Sequence, residues 1–374
     1  MSPILTKAYS ALSLLLSQKV NKPIVVFESD DWGSARMPNR EAYIDSLRNG
    51  YPVNKDIYSQ FDCLESSEDL QDLFDLISSF KDIQSNHPIL TANFLVTNPD
   101  YKKIQDQGYL HYYYKTIEET YHNYQNTTKN LKLLKSAKNE NLISIQSHGR
   151  EHLNVSRYLD DLINNDPNVL YSLNNQMPGI VIENEQKNIS NDYVVALEHY
   201  SKKDLNEKQL IIKDGLLLFE KIFGFKAESF IACNYIWHPS FEKVLADAGI
   251  KFIQGIPIQF VPKGQYKGFN YKFHYTAQTN KFKQTYIVRN AHFEPIMGGE
   301  HALNGCLKRI ERAFNLKIPA IVSTHRINYV GGMDISNKNN GLKYLKMLLE
   351  SILKTWPDVI FMSSNELGYF LQNK

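Results

Sequence analysis

Residues 25–34 read VVFESDDWGS, an apolar, β-branched run that ends in two adjacent carboxylates, Asp30 and Asp31, before Trp32-Gly33. Consecutive side chains on a strand point to opposite faces, so the pair is not the solvated decoration of a single face. Two later segments offer imidazoles in a similar setting. SIQSHGREHLN carries His148 and His152, and AIVSTHRINYVGG carries His325 beside Arg326. A further one, RNAHFEP, brings Asn290, His292 and Glu294. If residues 148–152 are helical, their i, i+4 spacing stacks both imidazoles on one face. Two neutral imidazoles and a carboxylate are a common catalytic zinc set that leaves a coordination position for water. The aspartate pair supplies that carboxylate with one to spare. One aspartate can hold a metal while its neighbour, turned the other way, takes a proton. Each feature has a plainer reading. Histidines at this spacing often form surface pairs, an aspartate pair after a strand often caps a turn or helix, and a lone histidine can sit satisfied in a core. Their joint occurrence at strand ends favours a site.

For these residues to meet, the elements carrying them must converge. The apolar runs predict strands at Ile24–Glu28, Ile89–Val96, Leu142–Gln146, Ser229–Ala232, Lys251–Gln254, Tyr286–Arg289, Ala320–Ser323 and Val359–Met362. Between most of them lie helical patterns: Ser67–Phe80, Tyr114–Ala137, Glu207–Phe223, Phe241–Ala248, Asn304–Leu316, Leu342–Trp356 and Glu366–Leu371. Strands alternating with helices predict a parallel α/β sheet covered on both faces, whose working residues sit beyond the carboxyl ends of the strands. The number of repeats favours a barrel over a doubly wound sheet. Residues 154–200 and 256–285 break the alternation. The first stretch reads as an insertion or lid, the second as antiparallel hairpins around glycines. Without linker or repeat, the expectation is a single domain over 1–374.

The 374-residue chain is 43% hydrophobic and 22% charged with a formal net charge of +2, which suits a soluble globular protein and gives no sign of a nucleic-acid partner. Cys63, Cys233 and Cys306 are too few and too scattered for a disulfide framework or a C-x-x-C zinc site. The N-terminal MSPILTKAYSALSLLLSQKVNKP lacks a basic start and a small-residue cleavage site. It predicts an amphipathic helix over 1–21 packed on the domain, no integral membrane segment and a cytoplasmic protein. The aromatic run YLHYYYKTIEETYHNY (109–124) and the Tyr/Phe-rich hairpins could stack on sugars, although their spacing suits core and loop packing better.

FESDDWGS, QSHGREH and VSTHR, in that order, resemble the metal-dependent polysaccharide deacetylase superfamily, defined by the NodB-homology domain. TANFLVTNPDY and STHRINYVGG are similar to its bacterial polysaccharide (de)acetylase branch, and the likeness runs over about residues 23–365. It implies a distorted (β/α) barrel, usually of seven strands. It implies Asp30 as general base, Asp31, His148 and His152 as ligands of a divalent metal, and His325 as general acid. Zinc is the expected ion, with cobalt, nickel or iron as alternatives. The implied substrate is an acetylated amino sugar or glycan precursor. Four departures stand out. Gly149 replaces the usual Ser or Thr of the second motif, and FIACNYIWHPS has Cys233, Asn234 and Tyr235 in place of Arg-x-Pro-Tyr. Ser-Thr-His replaces Leu-x-His, and the fourth motif is absent. Glu294 could orient His325, and Arg289 or Arg326 could replace the missing arginine. The alternatives are a related amidohydrolase or deformylase acting on another non-peptide C–N bond, a metal phosphoesterase, and a glycan-binding protein with a degenerate site.

Overall fold

The computed structural model describes residues 3–180, 193–264 and 267–373. Part of the stretch expected as an insertion, 181–192, lies outside them. The main sheet is parallel throughout. Its strands are β1 (Ile24–Trp32), β2 (Leu90–Leu95), β3 (Ile143–Gly149), β4 (Ser229–Ile231), β5 (Phe252–Gly255), β6 (Thr285–Val288), β7 (Ala291–His292), β8 (Ala320–His325) and β9 (Ile360–Met362). Their spatial order is β6-β5-β4-β3-β2-β1-β8-β7, with β9 beside the start of β1. One segment joins the two ends of this list. Residues 285–288 pair with β5 and residues 291–292 with β8. Between them the Arg289 N–H donates to Gly255 O and the Asn290 N–H to Ile321 O. The sheet thus closes into a distorted (β/α) barrel with a seam at Arg289–Asn290.

All nine residues of β1 are buried, as expected of a strand covered on both faces. Val25 and Phe27 face the helical layer and join the large outer core. Ile24 and Val26 face inward and meet Phe252, Ile287 and Ile321, with Leu367 and Leu371 of the C-terminal helix Ser364–Gln372 closing the base. Further along the strands the interior turns polar. Glu28, Asn93, Gln254, Ser229 and Arg289 are all fully buried there, and hydrogen bonds satisfy them. The barrel therefore has an apolar floor, a polar middle layer and an open mouth.

Several helices begin earlier or run longer than their apolar periodicity marks. Lys202–Phe223 starts at a Ser201 cap, and Ile335–Thr355 at an Asp334 cap. The helix expected over Tyr114–Ala137 is two helices, Ile117–Asn123 and Asn130–Asn139. Asn126 sits at a positive φ between them, and Thr127 turns its hydroxyl back onto the Tyr121 and Tyr124 carbonyls. The N-terminal helix spans Pro3–Leu16, shorter than the expected 1–21. The 256–285 stretch does hold an antiparallel hairpin, Ile258–Pro262 with Phe269–Phe273. Residues 154–180 carry two helices, Val155–Ile163 and Pro167–Asn174, where only an insertion was expected.

Candidate functional site

A cavity of about 390 Å³ opens at the carboxyl ends of the strands, and its wall includes Asp30, Asp31, His148, His152 and His325. All five residues singled out from the sequence therefore meet in one place. The way Asp30 and Asp31 do so differs from the simple alternation of a strand. Asp31 has φ +73, and the β1–β2 register shifts between Ser29 and Trp32. This bulge turns the second carboxylate back to the same cavity as the first instead of to the opposite face. Gly33 then bends the chain away at φ +82, where a Cβ would stand 2.5 Å from the Leu95 carbonyl. Its N–H donates to Glu65, 3.1 Å away.

The His148/His152 pair also needs a correction. Residues 148–152 are not helical: His148 is the penultimate residue of β3, and the chain turns at Gly149, whose φ is +116. That turn sets the two rings 5.3 Å apart at 75°. It also explains why glycine stands where a Ser or Thr was expected, since β-branched and polar L-residues rarely adopt this backbone. Tyr112 and Tyr114 of the aromatic run 109–124 buttress the turn. Arg150 lies over the Tyr114 and Tyr112 rings and donates to Glu151 (2.6 Å) and Asp214 (2.9 Å).

Asp31 Oδ1 stands 3.3 Å from His148 Nε2 and 3.4 Å from His152 Nε2. His148 Nδ1 lies 3.0 Å from the Ile231 carbonyl, which only accepts, so Nδ1 carries the ring proton. In a neutral ring, Nε2 then turns a lone pair towards a carboxylate oxygen. Burial pushes the His152 pKa down to about 3 against the pull of Asp31. Burial also opposes ionisation of Asp31, but the two imidazoles hold its carboxyl well below the usual range. Two basic nitrogens and an anionic oxygen converging on one point fit a divalent cation bound between them. His148, His152 and Asp31 are the residues that would hold it.

Asp30 faces the same space in a different state. Arg289 grips it bidentately, Nη1 to Oδ2 and Nη2 to Oδ1, both at 2.7 Å, while its Nε donates to Glu28 at 2.6 Å. Burial alone would raise the Asp30 pKa, but the guanidinium outweighs it and keeps the carboxyl far below its ordinary value. Of the two arginines considered as replacements, Arg289 takes the place. Arg326 is fully buried elsewhere, bound to Asp62 and Glu65 at 2.9 Å each. Across the cavity, β1 and β8 place Asp30 and His325 as direct neighbours in register. Glu294 lies 2.6 Å from His325 Nδ1 and is itself held by Asn328, again at 2.6 Å. Burial would lower the His325 pKa, but the Glu294 carboxylate and the two aspartates push it up to about 10.

No known family model and no curated protein matches the sequence. Among solved structures it is similar to a probable polysaccharide deacetylase from Pseudomonas aeruginosa PAO1, at 9% identity, with 94% of this chain and 92% of that one covered and a TM-score of 0.44. PuuE allantoinase matches at 10% identity over 94% of this chain and 91% of its own, with a TM-score of 0.44. A 4-alpha-glucanotransferase from Thermococcus litoralis matches over 96% of this chain at 10% identity and a TM-score of 0.44, but the chain spans only 40% of that protein's length. The chain is similar to polysaccharide deacetylases.

Several cavity and support residues escaped the sequence reading. Cys233 was set aside with the other cysteines, yet its ligand atom and those of His148 and His152 lie within 4.8 Å of one another. It stands two residues beyond the end of β4, so the strand-end rule pointed at it. Asn93 donates to Asp30 at 2.8 Å and exchanges bonds with Gln254. A polar amide in each of two apolar parallel strands was the signal for that layer. Tyr235 accepts from Arg289 at 3.1 Å, and it and Asn234 both sit at positive φ on the cavity wall. Asn290 and His292 follow a strand without joining the cavity. Asn290 ties β8 to the seam through Pro319 O and Ile321 N.

Proposed function

We propose that this chain is a metal-dependent hydrolase that removes an acetyl group from an acetylated sugar or glycan precursor. The observation that carries the reading is the division of labour in one cavity. Asp31 lies between two imidazole nitrogens at 3.3 and 3.4 Å, while Asp30 is clamped by Arg289 and His325 is charged by Glu294. Asp31, His148 and His152 would hold a divalent ion, which would supply Lewis acidity to the acyl carbonyl and to the attacking water. Asp30 takes the proton of that water. Its carboxylate is intrinsically a weak base, so it acts through position: Arg289 and Asn93 fix both oxygens towards the cavity. His325 enters the reaction as an imidazolium at neutral pH and gives its proton to the departing nitrogen or oxygen. Glu294 keeps that ring charged and oriented. The 390 Å³ cavity suits one sugar ring with its acyl arm.

The test joins metal analysis to product analysis. Purified protein is expected to hold about one zinc, cobalt, nickel or iron per chain, absent in His148→Ala and Asp31→Ala. Loaded protein is expected to release acetate from acetylated amino sugars. A folded wild type that takes up no metal overturns the reading. Release of ammonia or formate from other C–N substrates, without acetate, moves it to the amidohydrolase class.

A further inference from the structure

The N-terminal helix Pro3–Leu16 turns serines and Leu14 inward and leaves other leucines exposed. Ser13 and Ser17 are 3% and 5% exposed, whereas Leu12, Leu15 and Leu16 are 43%, 62% and 49% exposed. Ala8 is exposed as well. At helical pitch, positions 8, 12, 15 and 16 fall within an arc of roughly 100°. The opposite side is fixed by polar bonds, one ring contact and Leu14, which packs against the outer core. Ser17 Oγ donates to Ser13 O at 2.7 Å and accepts from the Thr276 N–H at 3.3 Å. The Gln18 N–H donates to Thr276 O at 3.2 Å, its Nε2 donates to Leu371 O at 3.2 Å, and the Tyr9 ring lies 5.6 Å from Phe273. The helix is therefore held in a definite orientation with Leu12, Leu15 and Leu16 outward.

Charge decides what that face meets. Lys7 lies on the helix, Lys19 and Lys22 follow it in sequence, and Lys308, Arg312 and Lys317 come from the neighbouring helix Glu300–Asn315 and the residues just after it, all exposed, with Glu311 among them. Lys308 and Arg312 line a recess of about 340 Å³ together with Ala11, Leu14 and Leu15, so apolar and basic groups share one surface. The Val20 N–H donates to Lys317 O at 2.7 Å, which brings that lysine to the helix's end. A second copy docking on this face would set one basic rim against another. We infer that the helix rests on an anionic lipid surface, its leucines reaching the acyl boundary and its basic rim meeting phosphate headgroups. This holds independently of what the barrel hydrolyses.

The test is co-sedimentation of the full chain with phosphatidylcholine vesicles, with and without phosphatidylglycerol, at low and high salt. Binding is expected to the mixed vesicles, little to phosphatidylcholine alone, with release by salt. Leu12→Ser/Leu15→Ser/Leu16→Ser should abolish it at an unchanged thermal melt. Lys308→Glu/Arg312→Glu should weaken it by about tenfold or more, and this variant carries the test should the leucine variant misfold. Folded protein that sediments with neither vesicle overturns the inference. So does a dimer in light scattering that the leucine variant breaks, since that would put a second copy on the face.

Discussion

Asp30 and Asp31 are neighbours in sequence with different proposed tasks, and single substitutions should separate them. Asp30→Asn keeps the shape of the site and is expected to retain metal while losing about 10²- to 10⁴-fold in turnover. Asp31→Ala is expected to lose the metal itself, so metal analysis beside kinetics distinguishes the two. Glu294 offers a separate check through stability. The folded pKa of His325 is raised to about 10, so the pair contributes fully below the ordinary histidine range of about 6.5. That contribution is lost as pH rises through the folded value. The destabilisation by Glu294→Gln should be largest near pH 6 and shrink towards pH 10, as measured by urea unfolding across that range. The residues of the candidate site were legible because carboxylates and imidazoles are costly at the end of an apolar strand. Their supports were harder to read. Arg289 reaches Asp30 across 259 positions of sequence, and nothing local to either residue announces the pairing.

At the scale of elements, glycine placement governs how accurately the site is set. A Cβ on Gly149 would meet only the tip of Leu95 at 3.9 Å, but the backbone there has φ +116. Gly149→Ala should therefore cost about 1–2 kcal/mol of backbone strain, leave the barrel folded and weaken metal binding by moving His148 relative to His152. Gly341 is the opposite case, crowded at ordinary backbone angles. A Cβ at this position of the helix Ile335–Thr355 would stand 1.6 Å from the Asn328 carbonyl. Asn328 holds Glu294, and Glu294 holds His325. Gly341→Ala is thus expected to lower turnover more than metal content, a split that kinetics on fully loaded protein would reveal. Most strands and long helices were legible from apolar periodicity, and the alternation of the two marked the barrel. Short pieces such as Ile57–Phe61 and Tyr101–Asp106 were not, because five or six residues cannot display a helical period. The bulge at Asp31 was hidden for a similar reason: a change of one φ leaves no compositional trace.

For the molecule as a whole, Arg289 joins barrel closure to chemistry. It sits at the seam between β6 and β7, and its guanidinium ties Glu28 and Asp30 of the first strand to the segment that completes the ring. A lysine carries the charge but cannot span both carboxylates. Arg289→Lys should cost about 3 kcal/mol or more, seen as a lower urea midpoint at unchanged slope. The same seam bears on how the chain is made. The first strand, β1, pairs with β8, which ends at residue 325, and β9, which ends at residue 362. During synthesis it therefore waits for almost the whole polypeptide before that edge is covered. Such distant pairing slows folding and leaves a sticky apolar ribbon open to other nascent chains. A ribosome stalled before residue 289 would carry all three proposed metal ligands but no guanidinium to clamp Asp30, so the proposed site is completed only when the last quarter of the protein arrives.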